Sequence, residues 1–255
     1  MTVIVSRRGP VTTVTMERVE RRNAVDAAHA TALLAAFKEF DRDPGASVAV
    51  LYGEGGHFCA GADLKALGGP AGVDITRAGN GPMGPTRLQL GKPVIAAITG
   101  FAVAGGLELA LWCDLRVADE TAVFGVFCRR WGVPLIDGGT VRLPRVVGSG
   151  RARDMVLTGR PVNAREALAW GLADRVVPAG TALAAAQELA ASLAAFPQDC
   201  LRSDRLSMME QEGLSVHDAL ANERRLGQAA AATEALRGAA RFAGGDGRHG
   251  SFDGA

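Results

Sequence analysis

The sequence predicts an α/β protein built from repeated β–β–α turns, not one doubly wound sheet, followed by a helical C-terminal part. Three observations carry this. Twice, at similar spacing, an apolar strand runs into a glycine-bearing loop that opens a helix: SVAVLY before GEGGHFCAGAD, and Pro93–Thr99 before AVAGG. After about Gly138 the pattern turns mainly helical, punctuated by Gly148, Gly159 and Gly171. And 255 residues, 48% apolar and 22% charged, are the make-up of an ordinary globular chain with a core of its own.

Each element follows in order. Val3 and Val5, then Val11, Thr13 and Thr15, alternate around Gly9–Pro10, which predicts a hairpin. Asp26 caps a helix whose Ala30, Leu33, Leu34 and Phe37 recur at helical spacing. Ser47–Tyr52 is a short buried strand, and a short helix is expected from Asp63. Gly68–Pro85, thick in Gly and Pro, reads as a mobile surface insertion. Pro93–Thr99, Asp114–Ala118, Ala122–Phe124 and Arg175–Val177 read as strands, with LELALWC as the helix between the first two. Gly148–Ser149–Gly150 is a helix-opening turn. From about Phe196 the chain is amphipathic helix, and the end, GGDGRHGSFDGA, is expected to order only against a partner subunit.

Composition narrows the function. With 28 basic against 27 acidic residues and 5% aromatics, nothing favours nucleic acid or an acidic membrane as partner. No signal peptide is read at the start, and the longest uncharged stretch, Pro93–Leu107, falls short of the roughly 20 apolar residues of a membrane span. Cys59, Cys113, Cys128 and Cys200 form no CxxC pair, so reduced thiols and a cytoplasmic location are expected. His57 and Cys59 are too few to hold a metal, and no metal site is expected. P-loop, HExxH and GxSxG motifs are absent.

What remains is the pair of glycine turns, Cys59-Ala60-Gly61-Ala62-Asp63 and Ala104-Gly105-Gly106-Leu107-Glu108. The first turn of a helix leaves backbone N–H groups without partners, and small residues let a ligand reach them. Two such turns from separate segments make an oxyanion hole if they aim at one oxygen; otherwise the glycines serve sterics alone. Glu108 is set among Leu107, Leu109, Ala110, Leu111 and Trp112. A carboxylate there is costly unless it is paired, favoured by a helix start, or used in chemistry.

The runs RRNAVD, HFCAGADL, KPVIAAITGFAVAGGLELALWCDLRVA, GGTVRLPRVVG and MVLTGRPVNAREALAWGLADRVV, in this order, resemble the enoyl-CoA hydratase/isomerase (crotonase) family. They cover most of the chain from about Arg22 to Val177. The resemblance implies a crotonase-like spiral of β–β–α units over residues 1–195 and a helical region over 196–255 for trimer contacts. It also implies an acyl-CoA thioester as substrate, no further cofactor, and a homotrimer or hexamer. Ala62 and Gly105 match the two oxyanion-hole amides. Ala60 matches the carbonyl that meets the adenine, and Arg22 and Ala24 the loop that touches coenzyme A. Gly61, Asp63, Leu64 and Gly106 flank these positions and are counted with the substrate-binding set, although Asp63 reads better as a helix cap. Gly68–Pro85 falls where the family's acyl tunnel is lined.

Glu108 falls on the first of the hydratase's two catalytic glutamates, which holds the water that adds to the β-carbon. The second normally stands three residues after a Phe-Gly pair. Here Phe124-Gly125 leads to Cys128, so that acid is missing. An ordinary thiol is a poor substitute, and Cys128 reads as packing beside the substrate. Asp137, in PLIDGGT, is the nearest candidate carboxylate, either as acid or base or as the cap of the following helix. Arg129 and Arg130 suit inter-subunit ion pairs better than an acidic acyl group. The expected function is hydration of a 2-trans-enoyl-CoA. The alternatives are an enoyl-CoA isomerase or other crotonase-type reaction using one carboxylate, and an acyl-CoA-binding protein without chemistry.

Overall fold

The computed structural model describes residues 2–75 and 79–245. Its first two strands are the predicted hairpin: β1 (Val3–Arg8) pairs antiparallel with β2 (Val11–Met16), turning at Gly9 with φ +58°. Asp26 caps α1 (Ala27–Arg42), its carboxylate accepting from the N–H of His29 at 2.8 Å. Leu33, Phe37 and Phe40 form the buried stripe of this helix.

Two windings follow. The chain lays down β3 (Val48–Gly53), β4 (Val94–Ile98), β5 (Phe101–Val103) and α2 (Gly105–Trp112). It continues through β6 (Leu115–Asp119), β7 (Val123–Gly125), a short 3-10 turn (Phe127–Trp131) and α3 (Gly139–Val147). One sheet has the order β1-β2-β3-β4-β6 and is parallel from β2 onward; β5 and β7 pair in a second, smaller sheet. The runs β4–β5–α2 and β6–β7–α3 thus each place one strand in the large sheet and one in the small sheet before a helix. This is the β–β–α repeat that the sequence predicted.

The remaining strands and α-helices are α4 (Ser149–Thr158), β8 (Val162–Asn163), α5 (Ala164–Trp170), β9 (Arg175–Val177), α6 (Ala182–Ala194), α7 (Gln198–Glu210), α8 (Val216–Ala230) and α9 (Leu236–Gly244). β9 completes the large sheet beside β6, and β8 pairs with β7. β3 and β4 read as unbroken apolar runs because both faces are covered. Val48, Val50, Ile95 and Ala97 pack with Ala186, Leu189 and Ala190 of α6. Ala49, Leu51, Ala96 and Ile98 belong to the main core with Leu33 and Phe37.

Two expectations are corrected. The helix expected from Asp63 is a run of turns: the N–H groups of Ala66 and Leu67 both reach the Asp63 carbonyl, and Gly68 at φ +82° ends the winding. The Gly68–Pro85 insertion does not lie wholly at the surface, because residues 81–85 are buried and run beneath the site. Residues 76–78 of that insertion, and the glycine-rich end from 246 onward, lie outside the described residues.

Candidate active site

Residues 58–63 form a narrow ribbon pinned on both sides. Towards β5, the N–H of Cys59 donates to the Phe101 carbonyl at 2.8 Å, and that of Val103 returns to Cys59 at 3.1 Å. On the other side, Val25 donates to the Gly61 carbonyl and accepts from the N–H of Asp63, both at 2.8 Å. Extended backbone alternates its polar groups, so the N–H of Ala62 points away from Val25. It donates to no described residue, and Ala62 lines the main cavity.

Gly105 opens α2, where N–H groups have no intrahelical acceptor. Ala104 before it is held at φ +54°, ψ −125°, a strained backbone for a residue with a side chain. Gly61 brings the two turns together. It sits at φ +96°, and a Cβ there would stand 2.9 Å from the Ala104 methyl and 3.0 Å from the Gly105 nitrogen. Only glycine meets both demands. Ala62 and Gly105, one on each of these two turns, both line the cavity.

Glu108, one turn into α2, is 2% exposed and lines the same cavity. Its Oε1 accepts from the main-chain N–H groups of Asp137 and Gly139, each at 2.8 Å. Gly139 is the first residue of α3, so Glu108 serves as that helix's cap across space. Its Oε2 accepts nothing from the described residues. Burial pushes the carboxyl up to about 7, and the Asp137 charge pushes the same way; the two N–H donors only partly oppose this.

Asp137 stands on the cavity wall beside it, also 2% exposed. It does not cap α3; the cap position is Gly138, which supplies no side chain. Instead Oδ1 accepts from the Met83 N–H at 3.0 Å and from the Thr86 hydroxyl. Oδ2, like Oε2 of Glu108, accepts nothing from the described residues. Burial raises its pKa above the ordinary carboxylate range. Cys128 also lines the cavity, and burial followed by the Glu108 charge pushes its thiol up, which makes it a weaker acid than a free thiol.

The cavity these groups share encloses about 400 Å³. Leu64, Leu67, Val73, Ile75, Met83 and Ile136 give it an apolar wall, while Arg22, Ala60 and Arg130 also line it. Ala24, Gly61, Asp63 and Gly106, counted with the binding set on sequence, do not line it. Asp63 Oδ2 pairs with the Arg18 guanidinium at 3.1 Å, Arg18 also reaches the Ala24 carbonyl, and Gly106 packs against the Cys59 carbonyl. These four hold the ribbon in place. Arg129 donates to the Val156 carbonyl and Arg130 to that of Gly159; neither meets an acid among the described residues.

Sequence reasoning missed the supports of the site. Buried Asn23, at φ +56°, donates to the carbonyls of Glu54 and His57 and accepts from the Arg18 N–H. An asparagine in RRNAVD, a residue type enriched in left-handed turns, was the available signal. Thr86 and Arg142 carry no such mark in the sequence.

Comparison with known proteins identifies the family. The enoyl-CoA hydratase/isomerase family model matches residues 6–245. The chain belongs to the enoyl-CoA hydratase/isomerase family. Relatives include a Mycobacterium tuberculosis protein named enoyl-CoA hydratase, 37% identical over 231 residues, covering 88% of this chain and 86% of that one. A carnitinyl-CoA dehydratase of Proteus mirabilis is 40% identical over 189 residues, covering 73% and 72%. The crystal structure of an enoyl-CoA hydratase from Mycobacterium marinum superposes with a TM-score of 0.90 at 34% identity, over 95% of each chain. The crotonase fold is thereby established for this family member.

Proposed function

We propose that this enzyme is an enoyl-CoA hydratase-type lyase that adds water across the double bond of a 2-trans-enoyl-CoA. One observation carries the reading. Two buried carboxylates line the same apolar cavity as two amides; each carboxylate has one oxygen tethered, and among the described residues the other oxygens and both amides have no partner. The thioester oxygen accepts from Ala62 and Gly105, whose donors are worth about 2.7–4 kcal/mol each once negative charge develops there. Oε2 of Glu108 holds the water and takes one of its protons while the hydroxyl bonds to the β-carbon. The electron pair of the double bond moves onto the thioester as an enolate. Asp137, entering the step protonated, delivers its proton from Oδ2 to the α-carbon. Glu108 then carries the proton that Asp137 has lost, and exchange through water resets the pair. No step draws on a cofactor.

Arg22 and Ala60 line the cavity, which supports their use in meeting the coenzyme A part. Helices α7–α9, from the proposed 196–255 region, expose Val216, Leu236 and Phe242, which supports their use in a homotrimer or hexamer. The unpaired Cys59, Cys113, Cys128 and Cys200 support a reducing, cytoplasmic setting.

A second reading, double-bond isomerisation, has the cysteine at position 128 in its favour, because moving a proton between carbons needs only one carboxylate. Crotonyl-CoA and a 3-enoyl-CoA, followed side by side, separate the two. Loss of conjugated absorbance with the first is hydration; its appearance with the second is isomerisation. Binding of both esters without reaction, unchanged in Glu108→Gln, supports a protein that only binds acyl-CoA.

A further inference from the structure

We propose that Thr86 is the positioning residue for the second proton carrier of this site, acting through Asp137 and not on the substrate. This rests on the assignment of Asp137 to the α-carbon proton. The two residues are 51 positions apart in sequence, and Thr86 is fully buried. Its hydroxyl donates to Oδ1 of Asp137, and the N–H of Met83 donates to the same oxygen at 3.0 Å. With both donors on Oδ1, a proton on this acid resides on Oδ2, the oxygen left for the cavity.

The backbone is tied in the same register. One guanidinium nitrogen of Arg142 donates to the Asp137 carbonyl at 2.9 Å, and another to the Thr86 carbonyl at 2.7 Å. Arg142 thus staples the 83–86 segment to the loop that opens α3, and the threonine hydroxyl sets the carboxyl within that staple. Gly81 leaves the room this requires, because a Cβ there would run into both the Thr86 hydroxyl and Oδ1 of Asp137.

The charged and titratable groups facing Asp137 are Glu108 from α2, Arg142 from α3 and Arg87 from the 83–86 side, with Cys128 beyond Glu108. None of them takes the place of the hydroxyl on Oδ1. A hydroxyl that donates to the ionised form holds the acid's pKa down against the effect of burial.

The test is the pH profile of crotonyl-CoA hydration in Thr86→Val, which is nearly isosteric, and Thr86→Ser, which keeps the hydroxyl. The limb that belongs to Asp137 is identified first as the one missing from Asp137→Asn. The expected result is that Thr86→Val moves that limb upward by about one pH unit and lowers kcat about tenfold with KM little changed. Thr86→Ser should restore both. A Thr86→Val enzyme with an unmoved limb overturns the positioning role, as does equal damage in Thr86→Ser. Full activity in Asp137→Asn overturns the assignment of Asp137 itself, a different outcome. Circular dichroism on all three variants separates these results from misfolding.

Discussion

The main-chain N–H of Asp137 donates to Oε1 of Glu108 at 2.8 Å, while the Asp137 carboxyl turns away to the 83–86 segment. One residue therefore orients the first carboxylate with its backbone and presents a second carboxylate with its side chain. The two acids are placed by a single peptide loop, and among the described residues each keeps one oxygen without a partner.

Glu108→Gln should lower kcat by about a hundredfold or more, the usual scale for losing a general base. It should also stabilise the fold above neutral pH. Burial raises the Glu108 carboxyl to about 7 in the folded state, so the folded chain keeps a proton that the unfolded chain releases near pH 4.3. Stability from this group is complete below the unfolded value and is lost as pH rises through the folded one. The amide oxygen of the substituted side chain still accepts from both N–H donors, and the amide has no charge to bury. Urea unfolding at about pH 5 and about pH 8 should show the variant's advantage growing with pH, by up to about 3 kcal/mol. An advantage that does not change with pH contradicts the placement of Glu108.

Asp137→Asn should slow turnover, and Cys128→Ala should not. Steady-state rates across pH check both statements. A large loss in Cys128→Ala would assign the thiol a role that its burial argues against.

Gly61→Ala should damage kcat well beyond its effect on stability. The new methyl would press on Ala104 and the Gly105 nitrogen at a backbone φ of +96°. It must push one amide out of line, and losing a single donor of this kind costs about a hundredfold. Turnover of crotonyl-CoA beside a thermal melt separates the two effects.

Arg18→Met should cost about 3 kcal/mol, because it strands two carboxylates in a shielded place. Arg18 pairs with Asp26 at 3.0 Å and Asp63 at 3.1 Å, and all three side chains are less than one-fifth exposed. The loss should appear in chemical unfolding and, since Asp63 ends the ribbon that carries Ala62, in kcat as well.

Most of the fold was legible because strand and helix periods are local. SVAVLY, Pro93–Thr99 and the Asp26 cap announce themselves within a few residues. The turn at Asp63 was misread because a good cap and a helix-compatible run do not reveal that the ribbon's partners, Val25 and Arg18, hold it extended. The proposed catalytic pair was half legible. Glu108 stands out as a charge in an apolar helix, whereas the role of Asp137 depends on Thr86 and Met83, more than fifty residues earlier. Neither a capping preference nor a local pattern records that pairing, and so the site's supports came only from the three-dimensional arrangement.

The most direct test is hydration of crotonyl-CoA in heavy-oxygen water, with the mass of the product read by spectrometry. The account predicts one labelled oxygen at the β-carbon with the wild type and almost none with Glu108→Gln over the same time. A wild type that leaves the ester unlabelled, or a glutamine variant that labels it as fast, would contradict it.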